Sequence, residues 1–563
     1  MIKKISLSVL LLSSLMLHAP VTLDLTALRN ERNSSRMLDA LQAFSQYSTE
    51  TIMRNDDEET FAADRRGNFG KSLDLDLSAT PTFHKTEYDN LLAALASQDE
   101  ADFESLVMGT ADPNDQAFKL VSPQALFATD FSGADGWTFS MPAAPSITSA
   151  EAAGEMVEVY WHALLRDIPF NAYDEVDTPD TLQERAIAGM NALTDFKGPK
   201  NSGFVTAQTL FRGLFPGETT GPYISQFLYL PLAFGPGINY NGSGSVAPFD
   251  SPDYQTLPVP VAGSSNDFMI TEAEWANIQR GLAPSSSTTF DETGRHFIRN
   301  ARDLAEYVHH DYPGGAAFNA AFTILRMFGP DALDDSMYYN SAGNNAGDTQ
   351  VGFVTFGIAS IISAVIKVSE LALKVAWFHK WYVHRRLRPE FFGYLIEHEA
   401  TLNSGLHADI MTASVFNEQL FTDNGNKLLP MAYPEGSPCH PSYPAGHAAF
   451  IGAAVTVLKA FFKESFEIPN PVEPNATNDS LVTYTGTALT IESELNKLAS
   501  NIAIGRNMAG VHYRSDGTEG ILLGEKVAIK FLQDLGATYH ESFAGFSLTK
   551  FDGTTLTGLG AKV

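Results

Sequence analysis

Residues 356–386 form one long helix-compatible run that is apolar in its first part and basic at its end. Pro389 stops this run, because proline cannot continue a helix and disfavours helical backbone in the residue before it. The cations of the last turn suit the negative end of the helix dipole. An apolar helix at 445–462 and two more helices at 491–507 and 516–535 are predicted to follow, so the C-terminal half is helical.

The rest of the chain carries the same kind of signal. Ser149 and Thr178 are predicted N-caps, and Pro179 suits the first position of a helix. Few stretches alternate with a period of two, so only short strands or hairpins are expected, within 200–265. Residues 234–266 are rich in Gly, Pro, Ser and Asn and are predicted to form a surface excursion. The sequence therefore predicts an all-α protein, with further helices at 86–95, 149–165, 178–194, 271–281, 303–307 and 314–328.

The charge of the chain excludes one class of function. Sixty-six acidic residues stand against 37 Lys plus Arg, which gives a formal net charge of −29. A protein that binds nucleic acid needs a surplus of cations, so no nucleic-acid partner is expected. Hydrophobic residues make up 44% of the chain, enough to bury a large core. Any anion-binding site must be a local concentration of cations that works against the global field.

The N-terminus and the cysteine content bear on the compartment. Cys439 is the only cysteine, so the chain has no intramolecular disulfide. Two lysines precede an uncharged run at 5–17, which predicts a signal peptide over 1–19, although its cleavage site is poor. A buried N-terminal helix is the alternative. The apolar stretch at 351–366 is shorter than the roughly 20 residues that a bilayer requires. We expect a secreted or periplasmic protein without a membrane span.

Three basic segments indicate an anion site, and the first runs from Lys380 to Pro389 with the sequence KWYVHRRLRP. A solvated basic helix end is the simple interpretation, but these cations end an apolar run in a strongly acidic chain. Lys380 and Arg388 are about 80° out of phase on an ideal helix. They can share a target only if the helix unwinds before Arg388, as the following proline favours.

The second segment, 440–447, has the sequence HPSYPAGH and leads directly into the apolar helix. A loop that meets a helix N-terminus offers unpaired backbone N–H groups and a positive dipole end to an anion. Gly446 lets the backbone approach a ligand closely. The third segment, RNMAGVHYRSD, places Arg506 at a helix end and His512 beyond a glycine turn. Each of these segments, taken alone, is equally compatible with a structural role.

Together the three segments are much more specific. In this order, Lys-x7-Arg-Pro, Pro-x-Gly-His and Gly-Arg-x5-His-Tyr-Arg-x-Asp resemble the signature of the vanadium-dependent haloperoxidases. That family shares its fold and anion pocket with the type 2 phosphatidic acid phosphatases. The Lys380–Arg388 spacing and the His-Pro-Ser-Tyr-Pro lead-in are most similar to the algal and bacterial bromoperoxidases. The motifs cover 380–516, and weaker similarity extends upstream through 67–71 and 151–165.

The resemblance implies a role for each matching residue. His512 would be the axial ligand of vanadium, or the nucleophile of a phosphatase. His447 would be the acid–base partner on the opposite face, and His440 a second pocket histidine. Guanidinium and ammonium groups are the strongest donors to a charged oxyanion, and a near-neutral imidazole can exchange protons. The residues implied to bind orthovanadate are Lys380, Arg388, Gly446, Arg506 and His512.

Ala445 departs from the family pattern, which usually has Ser-Gly-His where this chain has Ala-Gly-His. The missing hydroxyl removes a hydrogen bond to a charged acceptor, roughly 1.5–3 kcal/mol unless Ser442 or a water replaces it. The departure therefore concerns halide oxidation more than anion binding. His379 lies where the family tunes halide choice. Asp348 and Gln350 resemble part of a calcium loop of the algal members, but the other ligands do not match, so calcium is not the expectation.

The resemblance implies an all-α fold built around two four-helix bundles, with the vanadate pocket in the C-terminal bundle. Residues 20–290 are expected to wrap this core and form a homodimer, and 291–563 to be the catalytic region. The implied function is oxidation of bromide or iodide by hydrogen peroxide to hypohalous acid, which halogenates small organic acceptors. Two alternatives stay open. An acid phosphatase would need few residues beyond the pocket bundle, and a catalytically weakened vanadate- or phosphate-binding relative is suggested by Ala445.

Overall fold

The computed structural model describes residues 53–563 with short gaps, together with Arg36 and Leu38. Thr51–Val563 forms one compact unit, distinct from Met1–Glu50. The predicted signal peptide, Asp348 and most of the predicted excursion at 234–266 lie outside the described residues. The gaps in the description are 77–81, 84, 111, 113, 131, 174–179, 231–256, 264–265, 340–348 and 562–563.

The fold is all-α, as the sequence predicts, and the described strands pair in two-stranded antiparallel sheets, β1 with β2, β3 with β4, β5 with β6 and β7 with β8. The strands are β1 Leu75–Asp76, β2 Thr82–Phe83, β3 Leu257–Pro260, β4 Phe290–His296, β5 Val472–Pro474, β6 Leu481–Thr483, β7 Phe546–Thr549 and β8 Thr555–Leu559. The α-helices are α1 Asp57–Thr60, α2 Lys85–Ser97, α3 Glu100–Glu104, α4 Ala150–Leu164, α5 Leu182–Asn191, α6 Gln226–Tyr229, α7 Glu272–Gln279, α8 Ala301–His310, α9 Gly315–Thr323, α10 Ile358–Phe378, α11 Pro389–Glu397, α12 Glu399–Leu402, α13 Ala408–Met411, α14 Gln419–Asn424, α15 Gly446–Phe461, α16 Ile491–Met508 and α17 Arg514–Thr538.

Side-chain caps set where several helices begin. Ser149 accepts a hydrogen bond from the Ala152 N–H at the start of α4, as predicted. Thr490 and Ser493 form a reciprocal capping box at the start of α16. The predicted cap Thr178 lies outside the described residues, and the described helix α5 is instead capped by Thr181. Local hydrogen bonding thus accounts for helix starts that the sequence pattern places within a few residues.

A four-helix bundle of α10, α15, α16 and α17 forms the centre of the C-terminal half. Helix α15 is buried on nearly every side, as its apolar sequence requires for the inner helix of a bundle. Glycines let α15 and α17 approach closely: a Cβ at Gly524 would lie 2.2 Å from the Ala449 carbonyl oxygen, and one at Gly452 would lie 2.5 Å from that of Ile521. This bundle fixes the ends of the helices that carry the three basic segments.

The N-terminal half packs directly on this bundle. Helix α4 contacts α16 and is itself surrounded by α5, α11 and α13, while α8 packs along α16. Near the start of the described chain, Lys71 Nζ donates to Glu390 Oε1 at 3.0 Å, and both side chains are buried. Within the described residues, no helix combines the length and apolarity that crossing a bilayer demands.

Helix α10 ends in an irregular turn that positions the first basic segment. Its α-helical hydrogen bonds stop at Phe378, and 379–384 continue as one wider π-helical turn. Arg385 then adopts left-handed backbone (φ 45°), and Arg388 is extended at the N-cap of α11, ahead of Pro389. The predicted unwinding before Arg388 is confirmed. Wide turns of this kind inside helices often mark functional positions.

Candidate oxyanion site

The unwound end of α10 brings Lys380 and Arg388 to the same loop, the one that precedes α15. Lys380 Nζ donates to the carbonyl oxygens of Pro441 (2.6 Å) and Ser442 (2.9 Å). Arg388 Nε donates to the carbonyl oxygen of His440 at 2.9 Å. Both side chains are buried. The first and second basic segments, far apart in sequence, therefore meet through two buried cations.

Arg388 also links both segments to the third. Its Nη1 donates to the Val511 carbonyl oxygen (2.7 Å) and to His512 Nε2 (3.0 Å). Its Nη2 donates to His440 Nδ1 at 3.0 Å. One guanidinium thus contacts both buried histidines, His440 and His512. The structure brings together these four predicted site residues, Lys380 included.

Arg506 approaches from the last turn of α16. Its Nη1 donates to the Val308 carbonyl oxygen (3.0 Å) and to the Tyr433 hydroxyl (3.2 Å). Its Nε is buried, and no acceptor among the described residues reaches it. Burial is the main cause that lowers the pKa values of Lys380 and Arg388, and the charge of Arg506 lowers both further, which places the three cations in one electrostatic cluster. A buried N–H donor without an acceptor normally costs free energy, so the atom is set up for a ligand.

The three cations lack carboxylate partners, in contrast to their neighbours. Among the described residues, no carboxylate oxygen lies within 4.0 Å of Lys380, Arg388 or Arg506, whose donors meet carbonyls, imidazoles and a hydroxyl. Arg385 and Arg386, by contrast, each form a close ion pair with a glutamate. Burial, the Arg388 charge and the Arg506 charge lower the pKa of Lys380 well below its ordinary value, and the Asp516 charge opposes this. Positive charge is thus concentrated here without a direct carboxylate partner, which favours a bound anion.

Asp516 orients His512. The His512 Nδ1–H donates to Asp516 Oδ2 at 2.8 Å, which leaves Nε2 as the ring atom with a lone pair. Asp516 is held in turn by Arg386 Nη1 (2.7 Å) and by the Ser442 hydroxyl. Burial opposes ionisation of Asp516, but Arg386 and His512 hold its pKa well below the ordinary value. Burial and the Arg388 charge lower the pKa of His512, so its ring is neutral at neutral pH.

Gly446 and His447 open helix α15 with no side-chain cap at Ala445. In the described part of the chain, nothing accepts the Gly446 N–H, so the first turn presents a free donor and a positive dipole end. The His447 Nε2–H donates to Asp311 Oδ1 at 2.9 Å. Burial and, among nearby charges, Arg506 lower the pKa of His447, while Asp311 opposes this. His447 therefore lies at the Arg506 side of the cluster.

Trp377 contributes an apolar wall. Its ring lies 4.8 Å from that of His440 and 5.9 Å from Lys380 Nζ. A Cβ at Gly446 would touch the same ring at 3.4 Å, so the indole spans from the loop to the start of α15. Such a wall keeps water from the cations and strengthens their interaction with an anion.

The other residues that the sequence singled out lie around the cluster. His379 donates through Nε2 to the Phe139 carbonyl oxygen (2.9 Å), and burial lowers its pKa to about 4. His384 packs edge-on against Tyr443, away from chemistry, as predicted. Cys439 is buried, with its Sγ 3.1 Å from Ser72 Oγ. None of the described contacts of these three residues reaches Lys380, so they surround the cluster without joining it.

Three functional contacts had no role in the sequence reasoning. The His512–Asp516 pair has the i, i+4 spacing of one helical face, and that spacing is a usable signal. Asp311 is 136 positions from His447, and Tyr433 is 73 positions from Arg506, so no local pattern connects them. These partners become visible only once the fold brings α8 beside α15 and α16.

Comparisons with known proteins bear on the family to which the chain belongs. A family model described as the VCPO second helical-bundle domain matches residues 372–540. A vanadium-dependent bromoperoxidase of Corallina pilulifera is 34% identical over 566 residues, which cover 90% of this chain and 93% of the relative. Another from Corallina officinalis is 37% identical over 470 residues, 76% of this chain and 77% of the relative.

A solved structure extends the likeness to the whole fold. The second vanadate-dependent bromoperoxidase of Ascophyllum nodosum, described as homohexameric, matches with a TM-score of 0.80 and 28% identity. The match covers 97% of this chain and 93% of that one. The resemblance inferred from the three basic segments is thereby confirmed over nearly the full length. The chain belongs to the vanadium-dependent bromoperoxidases.

Proposed function

We propose that this member of the vanadium-dependent bromoperoxidases binds orthovanadate and uses hydrogen peroxide to oxidise bromide or iodide to hypohalous acid. Small organic molecules would then accept the halogen. The observation that carries the proposal is the buried cluster of Lys380, Arg388 and Arg506, which has no carboxylate partner within the described residues. His512, with its Nε2 lone pair beside this cluster, supplies a side-chain atom suited to a covalent bond with the anion's central atom.

The residues present fit a tetrahedral oxyanion. Arg506 Nε is a buried donor without an acceptor among the described residues, and the Gly446 N–H is a second free donor. Lys380 and Arg388 donate their hydrogen bonds to carbonyl oxygens and imidazole nitrogens. A charged oxyanion is a stronger acceptor and would replace some of these partners. Three cations match the charge of a multiply charged anion. We infer that Lys380, Arg388, Arg506 and Gly446 hold the oxygens and that His512 Nε2 is the ligand to vanadium.

Bound vanadate supplies a Lewis acid that activates peroxide toward halide without itself changing oxidation state. The side chains of this protein prepare that chemistry. Asp516 keeps the His512 proton on Nδ1, so Nε2 stays available as a ligand. The buried cations draw electron density from the oxygens that they contact, and Trp377 limits access of water.

His447 is proposed to handle protons. His447, held by Asp311 at 2.9 Å, is the imidazole that would take a proton from an incoming peroxide. The lowered pKa of His447 keeps the ring neutral, and therefore basic, at neutral pH. His440 lies on Arg388 and under Trp377, where it positions the guanidinium. We therefore propose that His512 binds vanadium, His447 transfers protons and His440 positions the Arg388 guanidinium.

An assay of purified protein with peroxide and bromide, with and without added vanadate, tests the proposal. We expect bromination that depends on vanadate and is suppressed by excess phosphate, which competes for the same cations. Hydrolysis of a phosphate monoester without halide oxidation would instead support the acid phosphatase. Tight vanadate binding without either activity would support the catalytically weakened relative and contradict the proposal.

Because the cations of the cluster have no direct carboxylate partner, we expect bound oxyanions to stabilise the folded protein strongly. Vanadate should raise the melting temperature, because a ligand present at 100 times its Kd stabilises the folded state by about 2.7 kcal/mol. Arg506→Ala should remove most of this increase. Lys374→Ala is the matched control. Lys374 is a cation of α10 that lies outside the cluster and is already paired with Asp130 and Glu370. Calorimetry at constant ionic strength measures the effect, and an equal shift in both variants would contradict it.

Ala445→Ser is predicted to raise bromide oxidation by about tenfold to a hundredfold, roughly 1.4–2.7 kcal/mol of transition-state stabilisation. Ser442 does not replace the missing hydroxyl, because its own hydroxyl donates to Asp516. Iodide oxidation should rise less, since iodide is the easier halide to oxidise. Steady-state bromination of both proteins, fully loaded with vanadate at one pH, measures the change.

A competing use of the introduced hydroxyl is separable. Position 445 is the N-cap of α15, where serine can instead accept a backbone N–H and stabilise the protein by about 1 kcal/mol. A higher melting temperature with unchanged bromination would show that the hydroxyl caps the helix, and the prediction would be wrong.

We further propose that the chain is exported and self-associates. The lysine-led uncharged run at 5–17 supports export to the periplasm or the medium, and processing after 1–19 is testable by mass spectrometry of exported protein. The Ascophyllum nodosum relative described as a homohexamer supports assembly, which we assign to residues 20–290 with a dimer as the smallest unit. Light scattering that gives the mass of a single chain would contradict self-association.

A further inference from the structure

A group of metal-ligand side chains lies at the C-terminal end of α8, outside the oxyanion site. Glu306, His309 and His310 have i, i+3 and i, i+4 spacings and therefore share one face of the helix. His310 Nε2 lies 3.0 Å from Glu306 Oε1, and His309 Nδ1 lies 4.0 Å from Glu306 Oε2. One ligand atom from each residue falls within 4.8 Å of the others.

His309 is held in the orientation that a metal ligand needs. Its Nε2–H donates to Glu435 Oε1 at 2.6 Å, so the neutral ring carries its lone pair on Nδ1. Nδ1 is buried and finds no hydrogen-bond partner among the described residues. The ring also stacks on Tyr433, with centroids 3.8 Å apart and planes 10° apart. A carboxylate that fixes the far nitrogen of a ligating histidine is the usual arrangement around metal sites.

We propose that Glu306, His309 and His310 bind a divalent metal ion of the Zn²⁺ class, with an exchangeable water as fourth ligand. Donors around tetrahedral zinc lie about 3.4 Å apart when the bonds are about 2.1 Å, and the two separations from histidine nitrogen to Glu306 oxygen, 3.0 and 4.0 Å, lie on either side of this value. Two imidazoles and a carboxylate are the ligands that zinc prefers. Glu306 is buried, whereas the His310 side chain is 67% exposed, so the group opens to solvent on one side.

Charge supports the same occupant. Two carboxylates face His309: Glu435 accepts its Nε2–H, and Glu306 Oε2 lies 4.0 Å from its Nδ1. A divalent cation would neutralise both carboxylates. The end of α8 adds negative potential from the helix dipole, which favours a cation in the last turn.

The ion would fix a helix end that adjoins the oxyanion site. Asp311, which follows His310 directly, accepts a hydrogen bond from His447. Tyr433, on which His309 stacks, accepts a hydrogen bond from Arg506. The metal would thus hold the end of α8 against two residues of the oxyanion site without touching the anion. It is a structural ion in this proposal, and the reaction does not pass through it.

Titration of the chelator-treated, full-length protein with Zn²⁺ by calorimetry tests the site. We expect one ion per chain in the wild type and at least a tenfold loss of affinity in His310→Ala and Glu306→Gln. Co²⁺ in place of zinc should give the intense visible absorption of a tetrahedral complex, absent from both variants. His310→Ala is decisive if Glu306→Gln fails to fold, because the His310 imidazole is largely exposed.

His398→Ala is the matched control, since His398 also lies near a carboxylate, Glu272 at 3.2 Å, but has no second histidine in a described cluster. It should bind zinc as the wild type does. His310→Ala leaves the histidines of the oxyanion site intact, so zinc bound there would survive in this variant. Equal affinity and stoichiometry in the wild type and His310→Ala would overturn the proposal, and so would a wild type that binds no zinc.

Discussion

His512→Ala should abolish vanadium retention and bromination together. In the described site, His512 Nε2 offers a lone pair for a bond to vanadium, whereas the cations offer only exchangeable electrostatic contacts. Loss of an outer-shell partner typically costs tenfold to a hundredfold in metal affinity, so loss of the ligand itself should cost more than about a hundredfold. The measurement is vanadium content after gel filtration, together with bromination at saturating vanadate. We expect activity at the level of free vanadate.

Two further variants make this result specific. His512→Gln keeps a donor toward Asp516 but lacks an imidazole lone pair, so it should fold and still lose vanadium. His162→Ala removes another buried histidine, one that packs against Phe211 and forms no hydrogen bond to the three cations among the described residues. It should keep vanadium despite some loss of stability. Near-normal turnover and bound vanadium in His512→Ala would refute the assignment of His512 as the vanadium ligand.

The helical framework could be predicted from the sequence because its signals are local. Predicted helices at 445–462 and 491–507 correspond to α15 and α16 within a residue or so at each end. A proline after a basic helix end was enough to predict that the backbone unwinds before Arg388. The π-helical turn that accomplishes the unwinding was not predicted, because it has no distinct sequence pattern.

The charge arrangement of the site needed the structure. The first segment contains three arginines and a lysine, and nothing local separates those that have carboxylate partners from those that do not. Arg385 and Arg386 pair with Glu58 and Glu155, more than 200 positions earlier in the chain. Once these pairs are assigned, Lys380 and Arg388 are the two cations of the segment without a carboxylate partner among the described residues. Long-range pairing, and not residue type, distinguishes binding cations from structural ones here.

Asp516→Asn is expected to weaken vanadate binding and bromination by about tenfold to a hundredfold, the usual effect of losing the partner of a ligating histidine. The carboxylate accepts hydrogen bonds from Arg386, Ser442 and His512 at once, and a neutral amide replaces one acceptor by a donor. The His512 proton is then no longer held on Nδ1, so Nε2 carries the lone pair only part of the time. Equilibrium dialysis of vanadate and steady-state bromination measure the two effects.

Loss of the Arg386 ion pair also destabilises this variant, and Glu155→Gln separates that effect from the one on His512. Glu155 accepts from Arg386 Nη2 at 2.8 Å and makes no contact with His512 among the described residues. Breaking a buried ion pair typically costs about 3–5 kcal/mol, so both variants should melt at lower temperature. Only Asp516→Asn should lose vanadate affinity when both are compared below their melting transitions. Equal affinities in the two variants would mean that Asp516 stabilises the fold around Arg386 and does not control the ligand histidine.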